Sequence, residues 1–98
     1  MAGAGVKPPE WLPGARRAFD ATLDRIADED PDTAELVRSR VERAFELIKA
    51  QPDMGTLTPK RNERRFAVPK TGHVFHYRIV RGALRIVLWY RARQYISR

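Results

Sequence analysis

The stretch HVFHYRIVRGALRIVLWY, residues 73–90, decides the fold of this chain. Residues 73–80 and 84–90 are rich in β-branched and aromatic side chains, and Arg81-Gly82 lies between them. Two such runs joined by a two-residue turn that contains glycine are typical of a β-hairpin. The sequence therefore predicts two antiparallel strands over these runs.

The register of the hairpin follows from its turn. With Arg81-Gly82 as the two turn residues, Val80 lies opposite Ala83 and the later pairs follow without interruption. Side chains directly opposite one another share a face, and one face is apolar and is expected to pack on helices. Its pairs are Ile79 with Leu84, Tyr77 with Ile86, Phe75 with Leu88 and His73 with Tyr90. The other face is expected to hold Arg78 with Arg85, His76 with Val87, Val74 with Trp89, and then Arg91.

Upstream of the hairpin, the pattern of apolar residues predicts two helices. Apolar residues recur at three- and four-residue spacing over residues 15–26 and again over residues 37–48, as they do on amphipathic helices. Asp30 suits the N-cap of the second helix, Pro31 suits its first position, and Pro52 ends it. Two helices joined so tightly form an antiparallel hairpin.

The remaining segments complete an α+β fold class, a helical hairpin packed on a small antiparallel sheet. Residues 10–12 form a short extended start, and residues 64–68 alternate with period two, as a strand does. Residues 1–9 are rich in Gly and Pro and are expected to form a flexible N-terminal tail. Residues 10–98 then make a single domain.

Acidic and basic residues are distributed unevenly along the chain. Residues 1–53 carry 8 Lys and Arg against 11 Asp and Glu, a net charge of −3. Residues 54–98 carry 11 Lys and Arg against the single acid Glu63, a net charge of +10. Because so one-sided a balance repels itself in a compact state, we expect an anion to offset it. The candidate anions are phosphate backbones and an acidic protein partner.

Several kinds of protein and site are excluded by the composition. The chain has no cysteine, which excludes disulfides and thiolate chemistry and suits a reducing compartment. No apolar run approaches the ~18 residues of a membrane span, and no signal peptide is evident, so we expect a soluble, cytoplasmic protein. His73 and His76 lie on opposite faces of a strand, so one metal ion cannot easily bind both. We expect neither a metal nor another cofactor.

Arginines on the polar face of the hairpin are the candidate site. Arg78 and Arg85 repel each other when directly opposite, but guanidinium groups bind a carboxylate or phosphate bidentately. The further candidates for contact with a target or partner are Arg65, Trp89, Arg91 and Arg93. The alternative is a solvated face on which the arginines lie over apolar neighbours. His76 on this face is either a proton shuttle or an ordinary surface histidine.

The order and spacing of these elements carry a family resemblance. The pieces are Glu10-Trp11-Leu12, the two helices, Gly55 after Pro52, Arg64-Arg65-Phe66-Ala67-Val68, Tyr77-Arg78 and Leu88-Trp89-Tyr90-Arg91-Ala92-Arg93. Together, over most of residues 10–95, they resemble the RelE/ParE superfamily of bacterial type II toxin–antitoxin toxins. The resemblance implies a β-α-α-β-β-β fold, growth inhibition and a role in plasmid stabilization. It also implies a cognate antitoxin whose acidic C-terminal segment wraps the toxin.

The superfamily divides by target. RelE-like members cut mRNA in the ribosomal A site, whereas ParE-like members are understood to poison DNA gyrase. The nuclease candidates that this resemblance suggests are His76, Arg78, Arg85, Arg93 and Tyr95. Val74 stands near the place of an earlier arginine of the nucleases, which favours a ParE-like toxin that binds its target. The alternatives are a ribosome-dependent mRNA endonuclease and a non-toxic basic RNA-binding domain.

Overall fold

Two helices pack on one face of a five-stranded sheet. The computed structural model describes residues 8–92. Its elements are β1 (Glu10–Trp11), α1 (Pro13–Glu29), α2 (Pro31–Ala50), β2 (Thr56–Leu57), β3 (Arg64–Val68), β4 (His73–Val80) and β5 (Ala83–Arg91), with a 3-10 turn at Pro52–Met54. The α+β fold class is confirmed. The predicted tail, residues 1–9, lies largely outside the described range. No helix within that range has the length and apolar character needed to cross a membrane.

The sheet is mixed rather than purely antiparallel. Its strand order is β1-β5-β4-β3-β2, and the antiparallel pairs are β5-β4, β4-β3 and β3-β2. The two-residue strand β1 pairs parallel with β5, and the Leu12 N–H that follows it donates to the Ile86 carbonyl at 3.0 Å. The strand β2 was not predicted. The short extended start at residues 10–12 is observed as β1, whereas β2 is a two-residue edge strand, too short to show a periodic pattern in the sequence.

A single residue connects the two helices of the helical hairpin. Asp30 alone separates α1 from α2, and its carboxylate accepts from the Asp32 N–H at 3.1 Å and from the Thr33 hydroxyl at 2.8 Å. The Thr33 bond, followed by the Asp32 bond, lowers the pKa of Asp30 below its ordinary value. Pro31 occupies the first turn of α2. The predicted N-cap is confirmed, and it directs α2 back along α1.

One extra residue in β5 changes the register of the hairpin. The four pairs from the turn to Tyr77 opposite Ile86 are those expected, including Arg78 opposite Arg85. A bulge follows, because His76 pairs with Leu88 and leaves Val87 as the additional residue of β5. The pairs beyond it are Phe75 with Trp89, Val74 with Tyr90 and His73 with Arg91. The predicted register beyond the bulge is therefore wrong by one residue.

The bulge exchanges the faces of the last strand residues. Trp89, expected on the arginine face, is buried at 4% exposure, and its Nε1–H donates to Thr22 Oγ1 at 3.0 Å. Leu88 and Tyr90, expected in the core, are 42% and 40% exposed. Arg91, also expected on the arginine face, follows Trp89 by two residues and lines a cleft on the helix side. A one-residue slip moves each side chain to the opposite face of a strand.

The core lies between the helices and the inner face of the sheet, the face that carries Phe75, Tyr77 and Trp89. Its largest fully buried side chains are Tyr77, Phe75, Ile48, Ile86 and Val41. Aromatic rings link the layers: Phe19 of α1 meets Trp89 at 4.8 Å between ring centroids. Burial of these rings supplies much of the stabilisation of a domain of this size.

A close contact at Gly55 joins the end of the helical layer to the sheet. The Gly55 N–H donates to the Tyr77 hydroxyl at 2.9 Å, and that hydroxyl donates to the Pro52 carbonyl at 2.7 Å. Burial raises the pKa of Tyr77, so the hydroxyl keeps its proton. A Cβ at Gly55 would lie 2.7 Å from the Tyr77 oxygen and 2.8 Å from the Arg65 carbonyl. Only glycine fits between these two groups.

Replacing Gly55 by alanine is expected to lower the free energy of unfolding by about 1–3 kcal/mol, because the added methyl overpacks a buried contact. Gly14→Ala is the matched control, since a Cβ at Gly14 in α1 meets nothing within 4 Å. The control is expected to be neutral or stabilising by up to about 1 kcal/mol. Urea unfolding of the two variants measures both values. Equal stability of the two variants would contradict the packing at Gly55.

Candidate functional site on the outer face of the sheet

The outer face of the sheet, the face turned away from the helices, carries the predicted arginines. Arg78 of β4 and Arg85 of β5 lie opposite one another, as expected. Arg65 of β3 lies opposite His76 of β4. Backbone alternation along each strand sets this side. The site is therefore assembled from the three longest strands of the sheet.

Each arginine of the opposed pair has a carboxylate of its own. Arg85 Nη2 and Nε lie 3.0 and 3.1 Å from Oε1 of Glu10 on β1. Arg78 Nη2 lies 3.6 Å from Oε1 of Glu63, the residue before β3. A row of four charges thus crosses the sheet in the order Glu10, Arg85, Arg78, Glu63. The acids come from the sheet and its flanking loop, and they offset the repulsion that the sequence indicated.

Glu63 also begins a chain of hydrogen bonds across the face. Its Oε2 lies 2.8 Å from His76 Nδ1, and His76 Nε2 lies 2.8 Å from the Tyr90 hydroxyl. The Glu63 side chain is 3% exposed and that of His76 is 13% exposed. With Nδ1–H donating to the carboxylate, Nε2 accepts the Tyr90 O–H. A carboxylate, an imidazole and a phenol in this order can pass a proton.

The sequence did not identify two members of this hydrogen-bond chain, Glu63 and Tyr90. An uninterrupted register places Tyr90 in the core, and the bulge places it on the outer face instead. In the sequence, Glu63 stands out as the single acid of residues 54–98, and that isolation is a usable signal. A lone carboxylate among eleven cations is well placed to be buried as their shared partner.

Other candidates are distributed elsewhere. Trp89 lies in the core and Arg91 on the helix side, so neither belongs to the outer face. His73, buried at 3% exposure, faces the helices, whereas His76 faces outward, so the two histidines do not share a site. Arg93 and Tyr95 lie outside the residues that the structure describes.

The remaining outer-face cation is Arg65. It forms no ion pair with any residue between 8 and 92, and it is exposed. Leu88 and Tyr90 lie on the same face, 42% and 40% exposed. The outer face therefore combines exposed apolar and aromatic groups with arginines, two of which are already paired.

Comparison with known proteins identifies the family. The family model described as the ParE toxin of the type II toxin-antitoxin system, parDE, matches residues 10–95. The chain belongs to the ParE toxin family. A search of curated protein sequences gives no match to this ParE-family chain.

Solved structures agree on the fold. The ParE-family chain is similar to a chain of the chromosomal ParDE toxin–antitoxin system from P. aeruginosa, with a TM-score of 0.73 and 14% identity, covering 92% of this chain and 100% of that one. It is also similar to the isolated E. coli RelE toxin, with a TM-score of 0.54 and 11% identity, covering 61% of this chain and 68% of that one. At these identities the similarity shows the shared fold.

The buried position of Glu63 yields a stability prediction. Glu63→Gln removes a charge that meets both His76 and Arg78, and it is expected to lower the free energy of unfolding by about 1–3 kcal/mol. Glu10→Gln is the control, since its ion pair with Arg85 is half exposed, and it is expected to change stability by less than about 1 kcal/mol. Urea unfolding at neutral pH compares the two. An equal loss in both would show that burial of Glu63 contributes nothing.

Proposed function

We propose that this ParE toxin inhibits growth by binding DNA gyrase, and that a cognate antitoxin with an acidic C-terminal segment neutralises it. The role as the toxin of a toxin–antitoxin system follows from membership of the ParE toxin family. The gyrase target is the one that the ParE resemblance implies. The mode of action proposed is binding, without a chemical step on the target.

The composition of the outer face supports a binding role. Exposed Leu88 and Tyr90 stand beside Arg65, Arg78 and Arg85, and protein interfaces are enriched in aromatic residues and arginine. Because Arg78 and Arg85 are held by carboxylates, the face is close to neutral. A site that cleaves a phosphodiester needs cations free to stabilise the phosphorus centre, and Arg65 alone is unpaired among the outer-face arginines in residues 8–92.

A groove on α2 supports neutralisation by an acidic segment. Leu36 and Leu47 of α2 are 47% and 43% exposed, and they line a groove of about 380 Å³. Arg40, Arg43 and Lys70 line the same groove. An amphipathic segment with apolar anchors and acidic side chains matches this surface in both hydrophobicity and charge.

A second function, ribosome-dependent mRNA cleavage, is favoured by one observation. The Glu63–His76–Tyr90 hydrogen-bond chain is an arrangement able to transfer a proton, as RNA cleavage requires. In this alternative, Arg65, the unpaired arginine of the outer face within residues 8–92, would stabilise the phosphate. A translation reaction analysed for codon-phased cuts in the A site, run beside a gyrase supercoiling assay, distinguishes the two functions.

Leu88→Asp is expected to weaken inhibition of gyrase supercoiling at least about tenfold, because a charge in the apolar centre of an interface removes a major contact. The half-maximal inhibitory concentration of the purified chain measures this effect. Unfolding curves check that the variant is folded. Full inhibition by the variant would exclude the outer face as the gyrase contact. Codon-phased cuts without any effect on gyrase would instead establish the endonuclease.

Leu47→Asp is the matched control, an exposed leucine of similar accessibility on α2. It is expected to retain gyrase inhibition and to lose neutralisation by the antitoxin. Growth of cells expressing the variant with the product of the adjacent reading frame measures neutralisation. Restored growth with Leu47→Asp would place the antitoxin on another surface.

A further inference from the structure

A second basic region lies on the helix side, away from the outer face. A cleft of about 320 Å³ opens between the end of α1, the start of α2 and the turn that joins β3 to β4. The cations that line it are Arg25, Arg40, Lys70 and Arg91, and the acid that lines it is Glu29. Four elements of the fold, distant in sequence, thus place four cations around one cavity.

These cations are not neutralised by acids. No ion pair joins any of the four to a carboxylate within residues 8–92. Arg40 reaches the Lys70 backbone carbonyl at 3.4 Å, which fixes its guanidinium without removing its charge. This cleft differs in that respect from the outer face, where Glu10 and Glu63 meet the opposed arginines.

A buried histidine with an unused nitrogen also lines the cleft. His73 is 3% exposed, its Nδ1 lies 3.0 Å from the Thr71 carbonyl, and its buried Nε2 has no hydrogen-bond partner within the described chain. The carbonyl requires the proton on Nδ1, which leaves Nε2 as an acceptor when the ring is neutral. Burial, together with Arg91 and Arg25, lowers the pKa of His73 below its ordinary value.

An unpartnered buried nitrogen among unpaired cations indicates a missing ligand. We propose that this basic cleft binds a phosphate group, carried either by free phosphate or by the phosphomonoester of a nucleotide. Four cations against one acid leave three positive charges, which suits a dianion better than a single carboxylate. When the dianion is bound, His73 takes up a proton at Nε2 and becomes a further donor.

The binding test uses inorganic phosphate and AMP as probes at constant ionic strength. Arg25→Ala and Arg91→Ala are each expected to weaken binding of inorganic phosphate at least about tenfold, the loss typical of a hydrogen bond to a charged group. Arg17→Ala, which removes an exposed arginine of α1 outside the cleft, is expected to change the affinity less than about twofold. Isothermal titration calorimetry measures the affinities.

The two probes distinguish the sources of the phosphate. Tighter binding of AMP supports a nucleotide, and equal binding supports free phosphate. Absence of saturable binding, or an equal loss in the Arg25, Arg91 and Arg17 variants, would overturn the proposal. Acetate or glutamate binding as tightly as phosphate would also overturn it, since the cleft would then be a carboxylate site continuous with the α2 groove.

Sulfate tests the role of His73, because sulfate keeps its double charge as pH changes. The charged groups that face this imidazole come from every element around it: Arg25 and Glu29 of α1, Arg40 of α2, Lys70 of the turn and Arg91 of β5. The affinity for sulfate is expected to rise at least about tenfold from about pH 8 to about pH 5.5, because burial lowers the pKa of the free imidazole and binding of the anion adds the proton. In His73→Gln this rise is expected to vanish. The same rise in His73→Gln, or none in the unaltered chain, would remove His73 from the site.

Discussion

The bulge at Val87 in β5 is the constraint on which the rest of the structure depends. It adds one residue to the strand between Ile86 and Leu88. Beyond it Trp89 enters the core and bonds Thr22, and the next residue emerges on the outer face. In an uninterrupted strand, the indole of Trp89 would lie on the outer face, and Leu88 would take its place in the core. Burial of the larger aromatic ring favours the bulged register.

Both candidate sites follow from that displacement. Tyr90 reaches His76 on the outer face because the bulge turns it outward. Arg91 lines the cleft beside His73 because the bulge turns it toward the helices. The positive charge that the sequence concentrates after residue 53 is therefore divided between the faces. On the outer face Glu63 and Glu10 meet the opposed arginines. On the helix side the cations of the cleft meet no carboxylate in residues 8–92.

What the sequence predicted correctly depends on local chemistry. The Asp30 N-cap, the two helices and the Arg81-Gly82 turn are each set by neighbouring residues. The opposition of Arg78 and Arg85 follows because it lies within three pairs of the turn. The bulge, the parallel pairing of β1 and the burial of Glu63 depend on contacts distant in sequence. The periodicity of apolar residues does not reveal such contacts. An inserted residue also moves every later side chain of the strand to the opposite face of the sheet.

Cross-strand backbone nuclear Overhauser effects between β4 and β5 test the register most directly. In the bulged register, Phe75 gives such contacts with Trp89, and Val74 gives them with Tyr90. In an uninterrupted register, Phe75 would instead contact Leu88, and Val74 would contact Trp89. A spectrum with the first set supports the division of the two faces described above. A spectrum with the second set would contradict it. Tyr90 would then not lie on the outer face, and Arg91 would not line the basic cleft.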